Sequence, residues 1–173
     1  MILNVGAIQK RKNIGRLVKA FEAVDPSWWL VLTGSNGYGA ESILSQIDKS
    51  PAKDRIAVLG YVPDPELAAW YNRASVFAFP SIDEGFGMPI LEAMAAGVAV
   101  VTSNRSALPE VAGDAALLVD PEDTDALTSA LQRVTSDDVY RQELVKRGLN
   151  RVALFSWDRA VTQTWTIYRS LSR

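Results

Sequence analysis

Residues 75–97 read Ser75-Val76-Phe77-Ala78-Phe79-Pro80-Ser81-Ile82-Asp83-Glu84-Gly85-Phe86-Gly87-Met88-Pro89-Ile90-Leu91-Glu92-Ala93-Met94-Ala95-Ala96-Gly97. The apolar run at 75–79 suits a strand buried on both faces of a parallel sheet. Gly85 and Gly87 allow a sharp turn and a close approach to a ligand. Pro89 suits the first turn of a helix, where a missing N–H costs nothing. The free amides of such a helix start, at the positive end of the macrodipole, form an anion site suited to phosphate. Glu84 in the loop and Glu92 one turn into the helix flank that site.

The segments on either side repeat this strand, loop and helix order. Ile2 to Val5 form a strand, followed by the loop Gly6–Asn13 with Lys10, Arg11 and Lys12, and by a helical face made of Ile14, Leu17, Val18, Phe21 and Val24. Trp28 to Leu32 are a second strand, closed by the glycine-rich loop at 34–39, and Ile43, Leu44 and Ile47 stripe the next helix. Arg55 to Leu59 are a third strand, ended by Gly60-Tyr61-Val62-Pro63, with Asp64 expected to cap the helix that follows. Strands at 98–102 and 115–119 complete the set, separated by a short helix from Ser106 to Gly113. Ala126, Leu127, Ala130, Leu131 and Val134 mark another helix. Two more are expected at the C-terminus: one carrying Val139, Leu144, Val145, Leu149 and Val152, the other capped by Ser156 and running to residue 173. Such alternation predicts an α/β fold: a Rossmann-like, doubly wound parallel sheet of about six strands with helices on both faces, plus C-terminal helices. Its ligand site lies outside the carboxyl ends of the strands, where the loops at 6–13, 34–39, 60–63 and 84–87 gather.

A length of 173 residues fits one domain spanning 1–173. Hydrophobic residues at 48% and charged residues at 22% are those of an ordinary globular chain, and a net charge of −2 gives no reason to expect nucleic acid as a partner. There is no cysteine and no histidine, which removes thiolate sites and the commonest neutral-pH general base. Catalysis would rest on carboxylates, dipoles and cations, or on another domain. No apolar run approaches the length of a membrane span, and the N-terminus lacks a signal-peptide layout. The expectation is a cytoplasmic protein. The first strand is not followed by G-x-G-x-x-G, and no G-x-x-x-x-G-K-[ST] occurs, which argues against dinucleotide and P-loop readings.

The stretch from Pro80 to Gly97 resembles the donor-binding, C-terminal half of family 4 glycosyltransferases, enzymes of the GT-B fold also grouped as glycosyl transferases group 1. Its most specific element is the pair Glu84 and Glu92 with seven residues between, set in this surrounding sequence. Val5-Gly6 with Arg11-Lys12-Asn13, the Gly60-Tyr61-Val62 loop, Leu108-Pro109-Glu110-Val111 and Phe155-Ser156-Trp157 support it, so the likeness covers essentially the whole chain.

The resemblance implies roles. Glu84 would contact hydroxyls of the transferred sugar and Glu92 the ribose, since an ionised carboxylate accepts two hydrogen bonds from a vicinal diol. Lys12 and Arg11 would neutralise the diphosphate leaving group. The chain has Ala7 where many members carry an arginine, which shifts phosphate contact towards Arg11. Gly6, Gly85, Phe86, Gly87, Met88 and Pro89 would line the phosphates and sugar, and Gly60, Tyr61, Val62 and Leu67 the base. Catalytic work would fall to Glu84, Lys12 and Arg11. No cofactor and no metal are expected, with a nucleoside-diphosphate sugar as substrate.

The implied reaction is retaining transfer of a sugar to an acceptor hydroxyl. The acceptor-binding N-terminal domain would be the partner, as the missing part of a longer enzyme or as a separate subunit, and this half alone would be inactive or nearly so. Peripheral membrane contact at the inner face would come only through that other domain. The aromatic stripe Trp157, Val161, Trp165 and Tyr168, ordinarily core, would then be partly exposed for docking. Taken singly, Glu92 is also a common first-turn helix residue, Glu84 a solvated loop residue, and Lys12 with Arg11 a solvated basic segment. Two alternatives stand beside the transferase: a stand-alone nucleotide-sugar binding module without catalysis, and half of another GT-B enzyme such as a sugar-nucleotide epimerase.

Overall fold

Six short apolar strands pair side by side in the computed structural model, which describes residues 1–171. They are β1 (Ile2–Val5), β2 (Leu30–Thr33), β3 (Ile56–Gly60), β4 (Val76–Phe79), β5 (Ala99–Ser103) and β6 (Ala116–Val119), all parallel, in the order β3-β2-β1-β4-β5-β6. Parallel neighbours need crossover connections, and helices supply them. These are α1 (Ile14–Phe21), α2 (Ala40–Lys49), α3 (Asp64–Arg73), α4 (Met88–Ala95) and α5 (Leu108–Ala112), while α6 (Thr124–Ser136) follows the last strand. Two further helices, α7 (Asp138–Val152) and α8 (Trp157–Leu171), close the described chain. The expected doubly wound sheet is therefore present, with its winding direction reversing between β1 and β4.

Strand alternation sorts the core into two layers. Ile2, Val76, Ala78, Ala99 and Val101 face one side and pack with α1, α2 and α6. Leu3, Phe77, Phe79 and Val100 face the other, against α3, α4 and α5.

Several local expectations change. β2 begins at Leu30, so Trp28 and Trp29 precede it. Pro63 occupies the N-cap position of α3, and Asp64 is already its first helical residue with no capping hydrogen bond from the Pro63 side chain. A carboxylate in that first turn is still favoured by the helix dipole. Ser156 does cap α8, its Oγ accepting from the Arg159 N–H at 3.2 Å.

On α7, Val139 is 82% exposed and Leu149 46% exposed, contrary to the apolar stripe. The buried face is instead Leu144 and Gly148. The packing explains why: a Cβ on Gly148 would lie 3.1 Å from Met94 Cγ, so the glycine lets α7 press against α4. α8 has no buried residue, and Trp157, Val161, Trp165 and Tyr168 are all exposed. The expected continuation of this helix over 172–173 lies outside the described residues.

Candidate functional site

β1 and β4 pair only through Ile2 with Val76 and Leu3 with Phe77, after which their ladder stops. This is the reversal point of the winding, where open α/β sheets form a crevice. Side chains hold its walls. Buried Asn4 donates through Nδ2 to the Ala78 carbonyl at 2.7 Å, and Thr102 Oγ1 donates to the Phe79 carbonyl at 2.8 Å. Asn13 adopts the left-handed conformation (φ 58°), which asparagine tolerates, and its Nδ2 donates to the carbonyls of Pro80 (3.0 Å) and Pro121 (2.7 Å). The loops after β1, β4 and β6 are thus pinned to one buried amide.

At the mouth of this crevice the loop after β1 meets the loop after β4. Lys12 Nζ lies 2.7 Å from Glu84 Oε1, and Arg11 Nη1 lies 3.1 Å from Glu84 Oε2. Arg11 also donates to the Asp83 carbonyl, and its own carbonyl accepts from the Ile82 N–H at 2.9 Å. Lys12 is stacked over the Phe79 ring, 4.6 Å from its centroid. Gly6 (φ 140°) gives Lys12 this path, because a Cβ there would sit 3.2 Å from Lys12 Cε. Burial of Glu84 opposes its ionisation, but the Lys12 ammonium, the nearby Ser81 hydroxyl and the Arg11 guanidinium outweigh it and hold the carboxyl below its ordinary range. The fully buried Ser81 hydroxyl has no hydrogen-bond partner of normal geometry.

Ser106, in the loop after β5, completes this corner. Its Oγ accepts from the Glu84 N–H at 3.1 Å and lies 2.7 Å from Asp83 Oδ1, to which it can donate. It does so from a left-handed backbone (φ 59°), a conformation that costs a non-glycine residue about 1 kcal/mol or more.

From Glu84 the chain runs through Gly85 and Phe86 to Gly87 (φ 103°), the N-cap of α4, with Met88 and Pro89 in its first turn. Phe86 packs edge-on against Phe155 between α7 and α8, with ring centroids 6.1 Å apart. Exposed Glu92 projects from the next turn and accepts a hydrogen bond on Oε2 from the Tyr71 hydroxyl at 2.8 Å. Burial first, then the negative Glu92 and its hydrogen bond, push the Tyr71 phenol far above its ordinary pKa.

The residues expected at the base stand further along the same edge. Gly60 ends β3 in a left-handed conformation (φ 70°), and its carbonyl accepts from the Gly34 N–H at 2.7 Å. Tyr61 is 73% exposed, and Val62 and Leu67 are half-buried. No hydrogen bond or ion pair joins them to Glu84, but α3 carries Leu67 and Tyr71 one turn apart and so links that edge to Glu92. Gly34, in the glycine-rich loop after β2, marks a close approach between loops: a Cβ there would fall 2.1 Å from the Gly6 carbonyl oxygen.

Sequence reading missed Tyr71 and Ser106. The four-residue step from Leu67 could have flagged Tyr71, whereas nothing in the residue type marks the backbone of Ser106. Open hollows of about 320 and 370 Å³ lie over α1 and α2, around Arg16, Lys19 and Gln46, away from both glutamates. Among the described residues no group of three or more His, Cys, Asp or Glu side chains is placed to hold a metal ion. Among them, too, no helix is long and apolar enough to cross a membrane.

This chain is 39% identical over 173 residues to O-antigen chain mannosyltransferase B of Escherichia coli, covering 98% of this chain and 45% of that protein. Sucrose-phosphate synthase from Thermosynechococcus elongatus superposes with a TM-score of 0.88 at 33% identity, over 98% of this chain and 45% of that one. The C-terminal domain of a glycosyl transferase group 1 family protein from Francisella tularensis shares the fold, with a TM-score of 0.79 at 24% identity over 88% of this chain and 84% of that one. The chain thus spans less than half the length of the first two. The family model for glycosyl transferases group 1 matches residues 1–151, from β1 into the last turn of α7, and to that family this chain belongs.

Proposed function

We propose that this chain is the donor-binding half of a GT-B glycosyltransferase of the family 4 kind, which takes a sugar from a nucleoside diphosphate and transfers it, with retention, to an acceptor hydroxyl. The observation that carries the reading is the meeting of Lys12 and Arg11 with Glu84 at the crevice mouth. Two cations held against one carboxylate give a polar cradle in which a diphosphate and a sugar can be sorted by charge.

In this reading Lys12 and Arg11 face the diphosphate and stabilise the negative charge that grows on it as the bond to the sugar breaks. Glu84, kept ionised, accepts from hydroxyls of the sugar. Gly85 to Gly87 and the start of α4, through Met88 and Pro89, bring backbone amides and the helix dipole to the phosphates. Glu92 takes the ribose, and Gly60, Tyr61, Val62 and Leu67 form the edge for the base. No metal or other cofactor is invoked, because the cations occupy the place a metal would serve. The acceptor comes from an N-terminal partner domain, against which the exposed face of α8 docks, and contact with the inner face of the membrane runs through that domain. Mannosyltransferases among the relatives favour mannose as the transferred sugar.

Calorimetric titration with ADP, GDP and UDP tests the reading. Binding of at least one nucleoside diphosphate, weakened by Lys12→Ala, is the expected result. No heat with any of them at millimolar concentration overturns it. Transfer that appears only after a partner domain is added separates the enzyme from a stand-alone binding module.

A further inference from the structure

The Glu92 carboxylate has one hydrogen-bond partner among the described residues, and it is the phenol of Tyr71, 2.8 Å from Oε2. That phenol sits on a side chain only 5% exposed. The Tyr71 ring lies 5.7 Å from Phe77, Phe77 stacks 5.7 Å from Phe79, and Phe79 carries the Lys12 ammonium on its face. A ladder of three rings on β4 and α3 therefore has a cation at one end and a carboxylate at the other.

We propose that Tyr71 is a positioning residue: its hydroxyl fixes the Glu92 carboxylate in the rotamer that meets a ribose diol, at a distance from Lys12 set by the ring ladder. The inference rests on the donor-site reading above and extends it to a residue outside the loop. A phenol suits this work better than a cation. It donates a single hydrogen bond to one oxygen, leaves Oε1 open for a diol, and leaves the carboxylate charge uncancelled. Its burial keeps the phenol protonated, so it remains a donor at all physiological pH values.

Tyr71→Phe preserves the ring and its packing and removes only the hydroxyl. Calorimetry with whichever of ADP, GDP and UDP binds wild type tightest is expected to show affinity about tenfold lower in Tyr71→Phe, the size of one hydrogen bond to a charged group. Inorganic pyrophosphate, which meets only the cations, keeps its affinity. In a Glu92→Ala background Tyr71→Phe adds nothing further. In the ligand-free protein the three-bond NMR couplings of the Glu92 side chain move from a single rotamer in wild type to averaged values in Tyr71→Phe. Unchanged nucleotide affinity, an equal loss for pyrophosphate, or a loss that persists without Glu92 would each overturn the proposal. Wild-type protein that binds none of the nucleotides sinks the donor-site reading and the ribose role with it. The couplings then decide separately whether Tyr71 holds Glu92, and averaged couplings in wild type overturn that too.

Discussion

Lys12 and Glu84, 72 residues apart in sequence, meet at 2.7 Å with about nine-tenths of each side chain withdrawn from solvent. The pair joins the loops after β1 and β4 across the point where the sheet reverses its winding. In the proposed donor site, a cation already satisfied by a protein carboxylate would share itself with an incoming diphosphate, in an exchange of anions.

Glu84→Gln separates the two functions proposed for this corner. Removing the protein anion frees Lys12 and Arg11, so affinity for a bare nucleoside diphosphate holds or rises. Preference for the sugar-bearing nucleotide over the diphosphate falls, by about tenfold if one charged hydrogen bond is lost. Parallel titrations of the two ligands check it, and a Glu84→Gln protein with wild-type preference would count against the sugar contact.

The same residue gives stability a pH dependence. The folded-state pKa of Glu84 is depressed, so its stabilisation is present above the ordinary carboxylate range and is lost as pH falls through the folded value. Urea unfolding of wild type and Glu84→Gln at a series of pH values is expected to show a gap that narrows below about pH 4.

Three glycines rank themselves. Gly34→Ala forces a Cβ to 2.1 Å from a backbone oxygen at φ 140° and is expected to cost at least ~3 kcal/mol. Gly87→Ala meets the side-chain Cδ2 of Leu108 at 2.7 Å with φ 103°, for about 1–3 kcal/mol. Gly85→Ala meets nothing within 4 Å and stays within about 0.5 kcal/mol of wild type. Thermal unfolding of the three variants reads the order directly.

Ser106 combines a hydroxyl in the Glu84 corner with a left-handed backbone. Ser106→Gly relieves the backbone as it removes the hydroxyl, whereas Ser106→Ala keeps the strain and loses the hydrogen bonds. The alanine variant is therefore expected to be less stable than the glycine variant by about 1 kcal/mol, measured by chemical denaturation.

The strands were legible because each is a run of apolar residues bounded by glycine, proline or a charge, and a strand buried on both faces needs little else. The carboxylates at 84 and 92 were legible because one continuous loop and helix carries both. Tyr71 was not: it reaches Glu92 from another helix, 21 residues earlier, and by its own sequence is one more aromatic on a core-facing side. Val139 and Leu149 misled for the opposite reason. Their apolar character fits the stripe, yet close packing of α7 on α4 goes through Gly148, and only the assembled helices reveal that a missing side chain makes the contact. Asp64 looked like a cap because aspartate favours that position, but Pro63, extended at φ −62° and ψ 151°, takes the cap and puts Asp64 inside the helix.

α8 contributes no side chain to either core layer. A helix of 15 residues without such anchorage lies near the length at which isolated helices are marginal in water. Two tiers of hydrogen exchange are therefore expected: amides of β1, β4 and β5 opening only when the whole sheet unfolds, and those of α8 opening by fraying. Protection gained along α8, with none gained in the strands, is the signature by which any surface that covers this helix announces itself.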